Sequence, residues 1–301
     1  MRYEHLDTEG SIFFERQLEH MKAETFDVLY APLSATKLIP VDSTTPVGAM
    51  SVTYNQFDSS GSAKIISHFA DDLPTVDIGG KQITHQLKSI GCSFVITLEE
   101  IRAAQYIGKS IDAEKAKAAA EVIKQKMNQL AFFGDKEASM RGWIQNNPIL
   151  VDRTQDAHAL WSAATVDQIL DDLNAAYERI IDDSNGVFVP DTIVMPIKQY
   201  HHISSTPRTA NSDTTIKEFF LSNHSNLTIE VANELKGKFA GNKDGFIMYK
   251  KSRRTLWQEM PQPFEMMTPQ YKNLAYVVPC HARFGGTIIT YPHSMIFVKG
   301  I

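Results

Sequence analysis

Cysteine is scarce. Cys92 and Cys280 are the only two in 301 residues, too few for a disulfide framework and suited to a reducing cytoplasm. No run approaches the roughly 18 consecutive apolar residues of a membrane-spanning helix. The opening MRYEHLDTEG lacks the order of a signal peptide. Both absences point to a soluble protein made inside a cell, with no membrane partner. Blocks of like charge are missing too, and the formal net charge is −5. That excludes a protein gripping nucleic acid through a basic tail, though not a wall that encloses it. Gly79-Gly80 and Gly285-Gly286 lack the spacing of a phosphate-binding loop.

Chemistry-bearing residues are present but badly placed for catalysis. Cys280-His281 lies in a strand-like run, where neighbours point to opposite faces, so thiol and imidazole do not meet. His201-His202 sits in a helix-like run, where metal ligands need spacings of three or four. Asp71-Asp72 and Asp182-Asp183 fall where turns or helix ends are expected and read as solvated carboxylates. KKSRR (250–254), the one basic cluster, reads as a solvated strand end. No catalytic residue, metal ligand or cofactor site emerges.

What the chain does have is a long amphipathic helix at about 112–133. Ala116, Ala119, Ala120, Ile123, Met127, Leu130 and Ala131 share one face. Lys117, Glu121, Lys124, Gln125 and Asn128 fall mostly on the other. Ser110 or Asp112 caps its start and Gly134 ends it. The pattern predicts near-complete burial of Ala119 and Ala120. A short helix at 98–107 precedes it, set off by Gly108.

Residues 1–48 read as an arm. A helix is expected at 13–26, with Phe14, Leu18 and Met21 on one side, then a segment with three prolines that lies over another body. Residues 50–97 alternate as strands, with turn signals at 58–62 and at Gly79-Gly80. Polar residues recur in these strands, so the excursion has no core of its own and must rest on something else. Turns are expected at Gly142 and Asn146-Asn147-Pro148. The second half is mixed α+β. Thr165 and Gln168 form a capping box for a helix whose face holds Val166, Ile169, Leu170, Leu173, Tyr177, Ile180 and Ile181. A buried strand is expected at 187–196, helices at 197–205 and 215–223, and closing strands to 299. At this length, two subdomains are expected.

The string ADDLPTVDIGGKQITHQLKSIGCSFVITLEEIRAAQYIGKSIDAEKAKAAAEVIKQKMNQLAFFGD, then GWIQNNP, DTIVMPIKQY, TIKEFFLSN, LTIEVANELKG and PCHARFGGTIITYPHSMIFVKGI, resembles the major capsid proteins of tailed phages. More narrowly it resembles the "gp7-like" major capsid family, which is related to the encapsulins. The resemblance runs from about residue 30 to the end and implies the Hong Kong 97-type capsid fold, in class α+β. It implies an N-terminal arm (1–48) and an extended β loop (49–90). A peripheral domain (91–151) would hold the spine helix at about 112–133 and be completed by strands near 253–275. A mainly axial domain would span 152–301. The implied function is a shell subunit forming the pentamers and hexamers of an icosahedral head around double-stranded DNA, without sequence-specific binding. An encapsulin-type compartment is the alternative. Portal, decoration or cement proteins and a separate scaffolding protein are implied partners. The resemblance brings no catalytic residue, cofactor or recognised cross-linking motif. Glu99, Glu100, Lys124 and Lys126 are candidate subunit contacts, with at least one pair crossing between chains.

Overall fold

A computed structural model describes residues 33–65, 73–107, 111–145, 150–152, 160–209, 211–238 and 243–301. The expected helix at 13–26, Asp71-Asp72, Gly108, Ser110 and the Asn146-Asn147-Pro148 turn lie outside the described residues. In chain order the elements are α1 (Ala35–Leu38), β1 (Val41–Asp42), β2 (Ser51–Ser60), β3 (Asp77–Gln86), β4 (Lys88–Thr97), α2 (Leu98–Ile107) and α3 (Ile111–Phe133). Then come β5 (Leu150–Asp152), α4 (Val166–Asp183), β6 (Thr192–Met195), α5 (Ile197–Ser205), α6 (Ile216–Asn223), β7 (Thr228–Val231) and β8 (Gly245–Tyr249). The rest are β9 (Leu256–Glu259), β10 (Gln262–Met266), β11 (Gln270–Lys272), β12 (Ala275–Phe284), β13 (Thr287–Ile289) and β14 (Met295–Lys299).

A five-stranded sheet in the order β5-β14-β8-β6-β7 separates two cores. Its strands read as near-continuous apolar runs because both faces are covered. Ile193, Met195, Phe246, Met248, Ile296 and Val298 join a core with α4, α5 and α6. The alternating residues Val194, Ile247, Tyr249, Met295 and Phe297 join a second core with α1, α3 and β12. The Thr165–Gln168 capping box forms as expected, and Thr215 with Glu218 forms another at α6. The buried strand is shorter than expected: Val187 and Val189 are exposed and pairing begins at Thr192. Pro190 has no N–H for a ladder, so the strand starts beyond it.

A second sheet has β12 at its centre, paired with β4 over ten residues on one edge and with β10 and β11 on the other. α3 packs against β4 and β12. Ala119, Ile123, Met127, Leu130 and Ala131 are buried as the pattern required. Ala120 is not: it is half-buried, like Ala116. Cover widens along the helix, so three consecutive residues are buried at 130–132 but Ala119 alone at 116–120. Asn128, expected on the solvent face, is buried. Its Oδ1 accepts the Ala35 N–H at 2.9 Å and its Nδ2 donates to Glu234 Oε1 at 2.7 Å. A polar side chain at such a position is stable only with its hydrogen bonds made.

Those bonds hold the end of the arm, which is core and not overlay. Leu38 and Ile39 are fully buried, Tyr249 Oη donates to Leu38 O at 2.6 Å, and β1 pairs in parallel with β9. The basic cluster is likewise not merely solvated. Lys251 Nζ donates to Lys37 O at 2.6 Å, Lys250 pairs with Asp191 at 2.9 Å, and Arg253 pairs with Asp42. The Arg254 guanidinium lies 5.9 Å from the Tyr291 ring centre. Beyond α3 the chain folds straight back on itself. Gly134 takes φ +64°, and Trp143 and Ile144 donate to Ala131 and Phe132. A Cβ on Gly142 would collide with the Gly134 backbone.

Ala119→Leu is therefore expected to overpack the helix–sheet contact at about 1–3 kcal/mol and to lower Tm by several degrees. Val122→Leu, at a position 56 % exposed, leaves Tm unchanged. Equal melting shifts for the two variants would place the buried face elsewhere.

Candidate subunit-contact surfaces

β2 and β3 form a two-stranded ribbon in unbroken register from Ser51↔Gln86 to Ser60↔Asp77. Val52, Tyr54 and Gln56 take the better-covered side, matching the alternation in the sequence. The expected turn at Gly79-Gly80 does not occur. Both glycines lie mid-strand, opposite Asp58 and Phe57, and the Phe57 ring occupies the space over Gly80. An aromatic ring covering a glycine across a ladder supports the pairing that glycine weakens.

Among the described residues, the ribbon's anchoring contacts gather at one end. At its base Tyr54 stacks on His85 at 5.8 Å and meets the edge of Trp257 at 5.8 Å. Met50 O accepts the Leu87 N–H, closing the root. The buried Arg283 donates to the carbonyls of Val47 and Ala49. Farther out, Phe57 is 70 % exposed and Ile78 65 %, and Ile65, Leu73 and Val76 are exposed beside them. A lone two-stranded hairpin is marginal in water. One with apolar side chains bare on its far half is built to be covered.

Apolar side chains are also exposed on the β12 sheet: Met266, Tyr271 and Tyr276 on the face that carries Cys280, Val95 on the opposite face, and Leu274 at the β11–β12 turn. Asn273 and Leu274, the turn between β11 and β12, have φ of +48° and +57°. Asparagine tolerates that region, but leucine is an outlier there. A strained leucine that is also 66 % exposed contributes nothing to the monomer's core. Such an outlier points to a role in contact. The signal was readable only as an Asn followed by an apolar residue between two short strands.

The four charged candidates do not come together. Glu99, Lys124 and Lys126 are exposed. Glu100 is committed inside the chain: it accepts from Lys115 at 2.8 Å and from the Thr97 N–H at 2.9 Å, while Thr97 Oγ1 accepts the Glu100 N–H at 3.2 Å. The Lys115 ammonium beside it holds its carboxyl below the usual range. Lys124 borders an apolar groove of about 380 Å³ with Leu33, Met127, Met260, Pro263 and Phe264. Cys280 is buried while His281 lies on the opposite face of β12. Asp182 and Asp183 are exposed, with Asp183 3.4 Å from Arg179. Among the described residues no three of His, Cys, Asp and Glu gather as a metal site, and no helix is long and apolar enough to cross a membrane.

Burial, reinforced by the nearby Arg141 charge, pushes the His85 imidazole below its ordinary value. Burial does the same to His224, against an opposing pull from Glu178. Tyr177 and Phe220 are ring neighbours of His224. For a histidine depressed in the folded state, the unfolded chain takes the proton first as pH falls. Stability is thus complete above about pH 6.5 and declines below it. Tm is expected to fall between about pH 7.5 and about pH 5.5, and less so in a His85→Phe, His224→Phe double variant. An equal fall in both proteins would assign the acid sensitivity to other groups.

The sequence profile of the family described as "Major capsid protein" matches residues 61–301. No curated protein matches the chain. Among solved structures, the chain is similar to the capsid of Myoviridae phage XM1, with TM-score 0.81 and 16 % identity over 95 % of this chain and 98 % of that one. It is also similar to the capsid of a native GTA particle, with TM-score 0.68 and 11 % identity over 98 % and 99 %. A virus-like particle from Pyrococcus furiosus has TM-score 0.56 and 14 % identity over 87 % and 90 %. The fold thus shared is the Hong Kong 97-type capsid fold, and with its profile matched over four-fifths of its length the chain belongs to the major capsid protein family.

Proposed function

We propose that the chain is the repeating subunit of a tailed phage's icosahedral head, closing as pentamers and hexamers around double-stranded DNA and residing in the virion. Family membership supports the shell role. The observation that carries the mechanism is the ribbon with its bare apolar outer half. In this reading the ribbon is the extended β loop and is covered by a second copy, α3 is the spine helix of a peripheral domain, and α4 to α6 belong to an axial domain. Contacts of modest individual strength become strong through repetition over a closed shell.

Enclosing DNA needs no basic grip, and a net charge of −5 supplies none. Glu99, Lys124 and Lys126 are available to a neighbouring copy. Glu100 reaches one only together with Lys115. Portal, scaffolding and cement proteins are expected partners, and the role is structural, without catalysis. An encapsulin-type compartment shares the fold; the phage shell is preferred because the matching family is that of major capsid proteins.

Negative-stain microscopy of the expressed protein is expected to show closed shells. Ile65→Asp with Ile78→Asp alters only exposed side chains, so it should leave melting intact and prevent closure. Leu274→Asn relieves a left-handed leucine and should hold or raise Tm by a few degrees while impairing assembly. Normal shells from both variants would remove the ribbon tip and the β11–β12 turn from the contact surface. DNA within native particles separates a head from a compartment.

A further inference from the structure

The two cysteines lie 188 positions apart in sequence, yet the fold sets them face to face. In the β4–β12 pairing, Cys92 is the direct cross-strand partner of Cys280. Directly opposed residues of an antiparallel pair have Cα atoms about 4.5 or 5.5 Å apart. Both separations fall in the range of about 4.4–6.8 Å that a disulfide spans. Opposed side chains also emerge on the same face of the sheet. Here that face is the one under α3: Cys92 Sγ lies 3.8 Å from Ala119 O, and Cys280 belongs to the core there. Among the described residues neither thiol has a strong partner to hold it away: the polar contacts of Cys280 Sγ are a weak one to Val278 O at 3.9 Å and one to Cys92. Both are free thiols in the structure.

We propose that Cys92 and Cys280 form a cross-strand dithiol that closes to an intrachain disulfide in an oxidising medium, stapling β4 to β12 beneath α3. The two thiols differ in accessibility, which sets the order of events. Cys92 is half-buried and Cys280 almost fully buried. Burial and the neighbouring Cys92 raise the Cys280 thiol above its ordinary value. Cys92 is therefore the entry point for a low-molecular-weight disulfide such as oxidised glutathione. Its thiolate attacks one glutathione sulfur, forming a mixed disulfide and releasing one glutathione thiolate. Cys280 then gives up its proton to that thiolate and attacks the Cys92 sulfur. The protein S–S bond forms, the mixed disulfide breaks, and a second glutathione leaves. Two electrons pass from the protein pair to the reagent, so one disulfide is made and one reduced.

The staple would tie the strand that leads out of the ribbon to the central strand of its sheet. It would close a loop spanning most of the chain, and constraint on the unfolded state grows with loop length. A reducing host compartment keeps the pair open while the chain folds. An oxidising exterior would close it after release, and that timing rests on the shell reading. The chemistry itself does not, because it lies within one chain.

The test treats the purified full-length chain with oxidised glutathione at mildly alkaline pH. Free thiols are titrated after denaturation, and intact mass and Tm are measured. The expected result is loss of both thiols and of the mass of two hydrogens, migration as a monomer on a non-reducing gel, and a Tm higher by roughly 5–10 °C that dithiothreitol reverses. Cys280→Ala should stop at the mixed disulfide on Cys92 and show no gain. Cys92→Ser should resist the reagent while folded. Two thiols surviving, a disulfide-linked dimer, or a bond formed without a rise in Tm would each overturn the proposal. A chain that forms the bond but no shells would count against the head reading alone, and shells with two persistent thiols against the staple alone.

Discussion

A β-sheet covered on both sides cannot alternate polar with apolar residues, and the strands β8, β6 and β14 do not. Phe246, Ile247, Met248 and Tyr249 are all buried, and they turn by pairs to opposite cores. At roughly 25 cal/mol for each Å² of apolar surface removed from water, burial on both faces lets consecutive residues of one strand stabilise two cores. Each other part of the fold is held by reference to it. The helices α4 to α6 close one face, and α3 with the end of the arm closes the other. The ribbon, in contrast, reaches the body through the Tyr54–His85–Trp257 ring contacts and the Arg283 clamp.

Much of this was legible where periodicity was strong and the element had one covered face. The limits of α2, α5 and α3 follow from apolar spacing and punctuation, and the α4 cap from the Thr165–Gln168 spacing. The reading failed where a residue's neighbour comes from far away in sequence. Asn128 looks like a solvent-face residue until Ala35 and Glu234 arrive to bond its amide. Lys250, Lys251, Arg253 and Arg254 look solvated until Asp191, the arm and Tyr291 pack beside them. Gly79-Gly80 has the composition of a turn, and only the pairing with Phe57 and Asp58 makes it strand.

The candidate surfaces were legible in kind but not in detail. An uncored β excursion is a sequence-level observation, and it led to the ribbon. Which of its side chains stay bare depends on where the Trp257 contact ends. The charged candidates fared differently because charge alone does not say which partner is taken. Glu100 serves the start of α2 and Lys115. Leu274 carried no periodic signal, since its distinguishing property is a backbone angle.

The strand pairings also set when this protein is able to fold. β1 pairs with β9, β4 with β12 and β5 with β14, so each joins an early segment to a late one. Contacts so distant in sequence impose a large loop-closure cost before any burial repays it, and they slow folding. On the ribosome the early partners wait tens of seconds for the late ones at ordinary rates of synthesis. Neither core is complete until β14 has emerged, because Met295 and Phe297 fill one while Ile296 and Val298 fill the other. A nascent chain thus cannot present a finished body to a neighbour, and folding is completed after translation has passed β14.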